Sequence, residues 1–369
     1  MRNALMAMSF LCALSASPKA HAFDRKAAGA VFTMSDSATG NAVLAYERAQ
    51  DGSLRLNGTY LTGGTGSGGG ETVLGSQGSV TLSRNGRFLF VVNAGSDEVS
   101  SFRVEGSTLT LADVAPSGGT LPVSVTEQDG VVYVLNAGGL GNVSGLRLDG
   151  EGRLFPLSGS TRPLSTPGGG PAEVSFDASG EVLAVTLKGA KALSLYSVDD
   201  DGRASLPGQV ASSGATPFGF SFTKGDALVV SEAGGGPSGT SAVSSYAVDG
   251  DTAALLSPSV PNGQRAACWL VVTRDGTLAF VANAASGTIS SYAIDRQGDL
   301  TLLFGAAGVL PPAGKPLDLA LTRGDAFLYV LDTVNHGIAG FANIGGGALE
   351  ALGENASSLP PSAVGMAAR

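Results

Sequence analysis

The sequence is short of nearly everything that makes a catalyst easy to recognise. Among 369 residues there are two cysteines, two histidines and one tryptophan, and only 14% of residues are charged. Cys12 falls in an apolar leader, so Cys268 is left without a partner and an intramolecular disulfide is excluded. Its neighbours Ala266, Ala267, Trp269 and Leu270 suit a packed thiol better than a nucleophile. Lys and Arg are outnumbered 22 to 31, for a net charge of −9. That balance excludes the long-range positive field of a nucleic-acid binder and a basic stripe for an acidic membrane. After the leader no apolar run approaches the twenty or so residues of a membrane-spanning helix, and no window holds a helical period. The glycine runs at 63–70 and 234–239 are not followed by a helix, which excludes phosphate-cradling loops; they read as flexible loop insertions.

What is present begins with an address. Arg2, an apolar stretch from Ala4 to Ala16 and the Ala20-His21-Ala22 pattern form a secretory signal over residues 1–22. The remainder, 23–369, is expected to be one exported domain, secreted or periplasmic.

The main content of that domain is repetition. VVNAGSDEVSSF (Val91 to Phe102), VLNAGGLGNVSGL (Val134 to Leu146), VANAASGTISSY (Val281 to Tyr292) and VLDTVNHGIAGF (Val330 to Phe341) are copies of one pattern, with further copies ending at Tyr196 and Tyr246. Each is an apolar run, a short loop and a second strand ending in an aromatic or, at Leu146, a leucine. The residues closing the first run are Asn93, Asn136, Leu187, Glu232, Asn283 and Asp332, spaced 43 to 51 residues apart. That period fits a unit of four short strands, and the runs are Val-, Phe-, Tyr- and Thr-rich between Gly, Asn, Asp and Pro. Asn85-Gly86 and Asp275-Gly276 mark hairpins whose central residues are expected at positive φ.

Four-stranded units repeated radially give an all-β fold, a β-propeller. Val31 to Thr33, Val43 to Tyr46 and Leu54 to Leu61 supply three strands of a blade without its inner strand, and PSAVGMAAR at 361–369 supplies an inner strand without its blade. Pairing the two closes a ring of seven.

In such a blade the first strand opens and the second closes on one face, so these positions converge on one mouth of the central channel, the natural place for a small ligand. The second-strand residues are Asn93, Asn136, Leu187 with Lys188, Glu232, Asn283 and Asp332; the first-strand openings include Gln77, Pro122, Glu173, Phe218, Arg265 and Lys315. Asn and Asp also suit strand ends as turn formers, whereas Glu232 does not. His336, in a Val-Asn-His-Gly turn after the last such strand, is the one histidine beyond the leader. Trp269 reads as core, with alternation leaving a channel-facing ring open.

The DG-x-x-L/F-x-V-x-N pattern, PAEVSFDASGEVLAV (Pro171 to Val185) and ALVVSEA (Ala227 to Ala233) resemble the seven-bladed lactonase propellers, which include bacterial 6-phosphogluconolactonase and the fungal carboxymuconate-lactonising enzyme. The resemblance spans the whole domain and implies lactone chemistry at the channel mouth by His, Arg and Glu. Glu232 matches the family glutamate; Pro171-Ala172-Glu173 stands where the family has a His-rich opening, and Phe218-Gly219 and Ala284 where it has Arg-His and often Arg. The expected function is therefore hydrolysis of a small lactone without a cofactor, with Glu232 as base and Lys188 or Arg265 stabilising the oxyanion. Asn93, Asn136, Glu173, Phe218, Asn283, Asp332 and His336 are the expected substrate contacts. Two alternatives use the same face: a non-catalytic propeller binding a ligand or protein, and a Ca²⁺ site among Glu232, Asn283, Asn136 and Asp332.

Overall fold

Each repeat alternates large apolar with small polar residues, so each strand can bury both faces between neighbouring blades. A computed structural model describes residues 27–234 and 240–369, leaving aside the side chains of 354 and 355. The leader and residues 235–239 of the second glycine run lie outside the described residues. The strands form seven antiparallel sheets in a ring, and the only described helix is a 3-10 turn, Gly70–Thr72.

Blade 1 is closed as expected. The carboxy-terminal strand Val364–Ala368 is its inner strand and pairs with Gly29–Met34, with Val31 opposite Ala368 and Met34 opposite Val364. Blades 2 to 7 follow in chain order, and their inner strands contact one another around the axis. Blade 3 departs from the pattern, since its outer strand is split into Leu154–Pro156 and Arg162–Pro163, both paired with Asn142–Leu148. Four inner strands start with proline, at Pro122, Pro171, Pro217 and Pro316, each opposite the last residue of the second strand. Proline fits a first strand position because no ladder bond is asked of its nitrogen.

The tyrosines ending the third strands of blades 4, 5 and 6 join blades. Tyr196 and Tyr292 are fully buried and donate to the carbonyls of Pro163 and Val260 in the preceding blade, and the Tyr246 hydroxyl accepts from Ser213 N. A buried tyrosine needs such a partner for its hydroxyl.

The hairpins between first and second strands differ from the expected form. In Ser83-Arg84-Asn85-Gly86, Gly86 N donates to Ser83 O, and Gly86 alone has positive φ, at 72°. Thr273-Arg274-Asp275-Gly276 repeats this with Gly276 at 77°. These are type I turns closed by one left-handed residue, which leaves the second turn residue, Arg84 or Arg274, at the tip.

The first glycine run is not a free insertion. Gly68 N donates to Asp36 O, Gly66 N to Ser37 O, and Gly95 N to Thr65 O. The Asp36 carboxylate accepts from Ser67 N at 2.7 Å, Ser67 Oγ at 2.5 Å and Gly70 N at 3.0 Å. Glycine is needed at Gly66 for close approach, because a side chain there would run into the Asp36 backbone.

Candidate functional site

The five polar residues closing second strands are buried rather than lining an open mouth, and four of them bond to the preceding blade. Asn93, Asn136 and Asn283 are 0% exposed, Glu232 1% and Asp332 3%. Asn93 Oδ1 accepts from Asn41 Nδ2 and Thr62 Oγ1 of blade 1, and its Nδ2 donates to Ser100 Oγ. Asn283 takes Asn262 Nδ2 from blade 5 and donates to Thr288 and Ser290. Asn136 donates to Ser117 O at the end of blade 2 and to Asn142 Oδ1. Glu232 fills the same place with a longer side chain: Oε1 accepts from Gly214 N of blade 4 at 2.7 Å and Ser244 Oγ at 2.6 Å, and Oε2 from Ser259 Oγ at 2.7 Å. Asp332 accepts from Lys315 N and Asn335. Glu232, Asn283, Asn136 and Asp332 thus close strands of four different blades, each with its own partners, and the donor set does not fit one calcium ion.

The mouth to which these positions belong is covered. The segment from Gly70 to Gly78 leaves blade 1 and crosses the channel as a strap before blade 2 begins, which shortens that blade's inner strand to Val80–Leu82. Ser76 Oγ donates to Val123 O in blade 3, and Gln77 N to Ala172 O in blade 4. Trp269 Nε1 of blade 6 donates to Ser76 O, while the Gln77 amide pairs with both the N–H and C=O of Leu270. Lys188 donates to Gly75 O and lies 4.8 Å from the centre of the Phe218 ring, which is tilted against Trp269 with ring centres 4.8 Å apart. Burial lowers the Lys188 pKa. Lys315 pairs with Glu71.

Lys188 and Phe218 therefore hold the strap, and the described residues show no hydrogen bond or ion pair between Glu232 and either Lys188 or Arg265. Arg265 is exposed and donates to Ala285 O; His336 is exposed at φ 50°. Two departures from the lactonase pattern become intelligible here. Ala172 supplies the carbonyl that receives Gln77, and any side chain at Gly219 would collide with Gln77 Oε1 and the Cys268 carbonyl. At Gly219 the strap takes the space that a histidine would need.

Asp36 seats this strap, and burial raises its pKa. Asp36→Ala leaves the Ser67 and Gly70 donors without their acceptor, at a cost of about 1–3 kcal/mol. Trp269, the only tryptophan, lies beneath the strap at 2% exposure. Its fluorescence is expected to shift to the red in Asp36→Ala, and an unchanged spectrum together with unchanged amide exchange over 65–78 would refute the role of Asp36.

The channel opens on the opposite face, where the first hairpins lie, into a cavity of about 1060 Å³. Gln77, Gly78, Glu173 and Asp318 line its inner end; Thr81 and Ser221 line the wall, and Arg84, Lys224, Arg274 and Arg323 the rim. Glu173 and Asp318 are each the third residue of an inner strand, Pro171–Phe176 and Pro316–Leu321. Glu173 Oε2 accepts from Phe220 N at 2.6 Å; Asp318 accepts from Leu319 N at 2.9 Å and Met366 N at 3.2 Å. Burial pushes Asp318 up to about 8. Burial also raises Glu173 well above the usual carboxylate range, and the charge of Asp318 adds to the effect. Carboxyls whose protons are held by burial in this way can donate a hydrogen bond, or accept a proton once ionised.

Of the expected site residues, only Glu173 lies in this cavity. Asp318 was legible only as an acid inside an apolar inner strand, PLDLAL. The rim cations had a clearer signal, a basic residue after Ser or Thr at one repeat position: Ser83-Arg84, Thr223-Lys224, Thr273-Arg274 and Thr322-Arg323.

Residues 31–162 match the family model described as lactonase, 7-bladed beta-propeller. No curated protein matches the chain. Solved structures give the same fold at low identity. A functionally unknown protein from Desulfotomaculum acetoxidans aligns at 15% identity and TM-score 0.70, over 92% of this chain and 99% of its own. A protein from Lactobacillus plantarum aligns at 19% and 0.68, over 92% and 98%. The periplasmic gluconolactonase of Pseudomonas aeruginosa aligns at 17% and 0.66, over 90% and 98%.

Proposed function

We propose, from the likeness to the seven-bladed lactonase propellers, that this protein is an exported lactonase-like hydrolase that works from the hairpin face of its channel. The observation that carries the reading is the pair of buried carboxyls, Glu173 and Asp318, at the inner end of the cavity. The leader and the periplasmic neighbour in Pseudomonas support the location. No described helix is long and apolar enough to cross a membrane.

Hydrolysis of a lactone needs a base for water and a donor for the carbonyl oxygen as negative charge develops there. Ionised Asp318 takes a proton from water as the water oxygen bonds to the carbonyl carbon. Protonated Glu173 donates to the carbonyl oxygen. On collapse the ring C–O bond breaks, and the leaving alkoxide takes the proton held by Asp318, giving the open hydroxy acid. The roles rest on the environment of each group: Glu173 has one backbone donor favouring its charged form, while Asp318 has three, from Leu319, Met366 and Gly78, that lower its pKa. Glu232, Lys188 and Arg265 then serve to position blades and strap.

The test is hydrolysis of a panel of five- and six-membered lactones by wild type, Glu173→Gln and Asp318→Asn. Each substitution is expected to lower kcat by about 10²-fold or more, the usual scale for a general base or a donor to an oxyanion. Wild-type rates in both variants, or a wild type that opens no lactone, would overturn the reading and favour a binding propeller. That second reading has its own support in the missing family histidine and arginine and in the covered mouth.

A further inference from the structure

We propose that the hairpin mouth of the channel is an anion-binding site for a small ligand bearing more than one phosphate or carboxylate group. The first evidence is a recurring local geometry. In blades 2, 5, 6 and 7 the connection from first to second strand is the same four-residue turn, with the fourth N–H donating to the first C=O and the fourth residue at positive φ: Gly86, Asp226, Gly276 and Asp325. The hydroxyl of the first residue accepts from the strand that follows, as Thr273 does from Leu278 N and Thr322 from Phe327 N. That frame holds the second residue at the tip, and in all four blades it is Arg84, Lys224, Arg274 or Arg323, each exposed and lining the cavity.

Blade 1 has no such hairpin, since its inner and second strands come from opposite ends of the described chain, yet its inner strand is followed by Arg369, whose guanidinium donates to Gly86 O of the blade 2 turn. Blades 5, 6, 7, 1 and 2 are consecutive around the ring, so the cations form one arc. Blades 3 and 4 complete the circle with Asp129-Gly130 and Ala178-Ser179, without a cation at the tip.

The acids near the arc are largely engaged by backbone donors. Asp325 accepts from Arg274 N, Glu127 from Arg84 N and Gly130 N, and Asp275 from Thr277 N. The cations are less committed: Arg84 donates to Ala178 O and Arg323 to Arg84 O, while the Lys224 and Arg274 side chains make no hydrogen bond among the described residues. In a chain of net charge −9 an arc of cations at a concave mouth focuses the attraction for an anion at that one place. Cations carried on separate blades favour several anionic groups over one, and guanidinium forks suit phosphate and carboxylate alike.

The inference rests on the mouth alone and stands whether or not the inner carboxyls hydrolyse anything. Titration calorimetry with tripolyphosphate and with citrate, at low and at physiological salt, tests it. Wild type is expected to bind at least one of them, more weakly as salt rises. Binding confined to tripolyphosphate assigns a phosphate ligand; binding confined to citrate assigns a carboxylate ligand. The pair Lys224→Ala and Arg274→Ala, at exposed turn tips, is expected to weaken binding at least tenfold while leaving the unfolding midpoint unchanged. Glu173→Gln keeps the arc and is expected to bind as wild type does, which separates this site from the hydrolytic reading. Absence of binding by wild type to either probe at low salt, or equal affinity in the double variant, would overturn the proposal.

Discussion

Deleting residues 360–369 is expected to lower the thermal unfolding midpoint by on the order of 10 °C, or to prevent soluble folding altogether. The strand Val364–Ala368 is the inner strand of blade 1, and its loss bares the edge of Gly29–Met34. Val364 and Met366 are 4% and 5% exposed, and burial of such side chains contributes about 1.5–3 kcal/mol each. The ladder hydrogen bonds and the Met366 N–H donated to Asp318 are lost with them. The ring also opens, so blades 7 and 2 lose the surface they pack against. A midpoint within about 2 °C of wild type would show that the closure is dispensable.

The second large effect concerns the acids at the inner end of the channel. Wild-type stability is expected to fall as pH rises from about 4 to about 8, and Asp318→Asn is expected to flatten that decline. The unfolded carboxyl ionises in the ordinary range near 4, whereas the folded one holds its proton up to about 8. Between those values the folded state binds more protons than the unfolded state, so raising the pH disfavours folding. The group is buried with no cation beside it, and the loss amounts to a few kcal/mol across the window. Glu173 contributes in the same direction, so Glu173→Gln with Asp318→Asn is expected to flatten the curve further. Unfolding midpoints measured at intervals from pH 5 to 9 decide it. Parallel curves for Asp318→Asn and wild type would mean that Asp318 ionises freely in the folded protein.

How much of this was legible can be argued from particular residues. The spacing of Asn93, Asn136, Glu232, Asn283 and Asp332 identified the blades because strand ends are local features and repeat with the unit. Their function was not legible. Asn93 and Glu232 were expected at a mouth, yet both point between blades and satisfy donors from the previous one. Which side of a strand end faces a channel and which a neighbouring blade depends on the blade's twist and stacking, and neither is written in the period. Gly63 to Gly70 reads as a flexible insertion from its composition, but composition omits the acceptor that Asp36 offers across 31 residues.

The sequence alone determined the seven-fold strand repeat and the closure of blade 1 by the carboxy terminus. These follow from local propensity and pattern, which act over a few residues. Only the tertiary structure decided which mouth is open. The strap meets Trp269 and Leu270 across 193 residues, and the carboxyls of Glu173 and Asp318 share one channel although they lie three blades apart. Contacts of that range follow from ring closure, which brings together side chains that no short motif links.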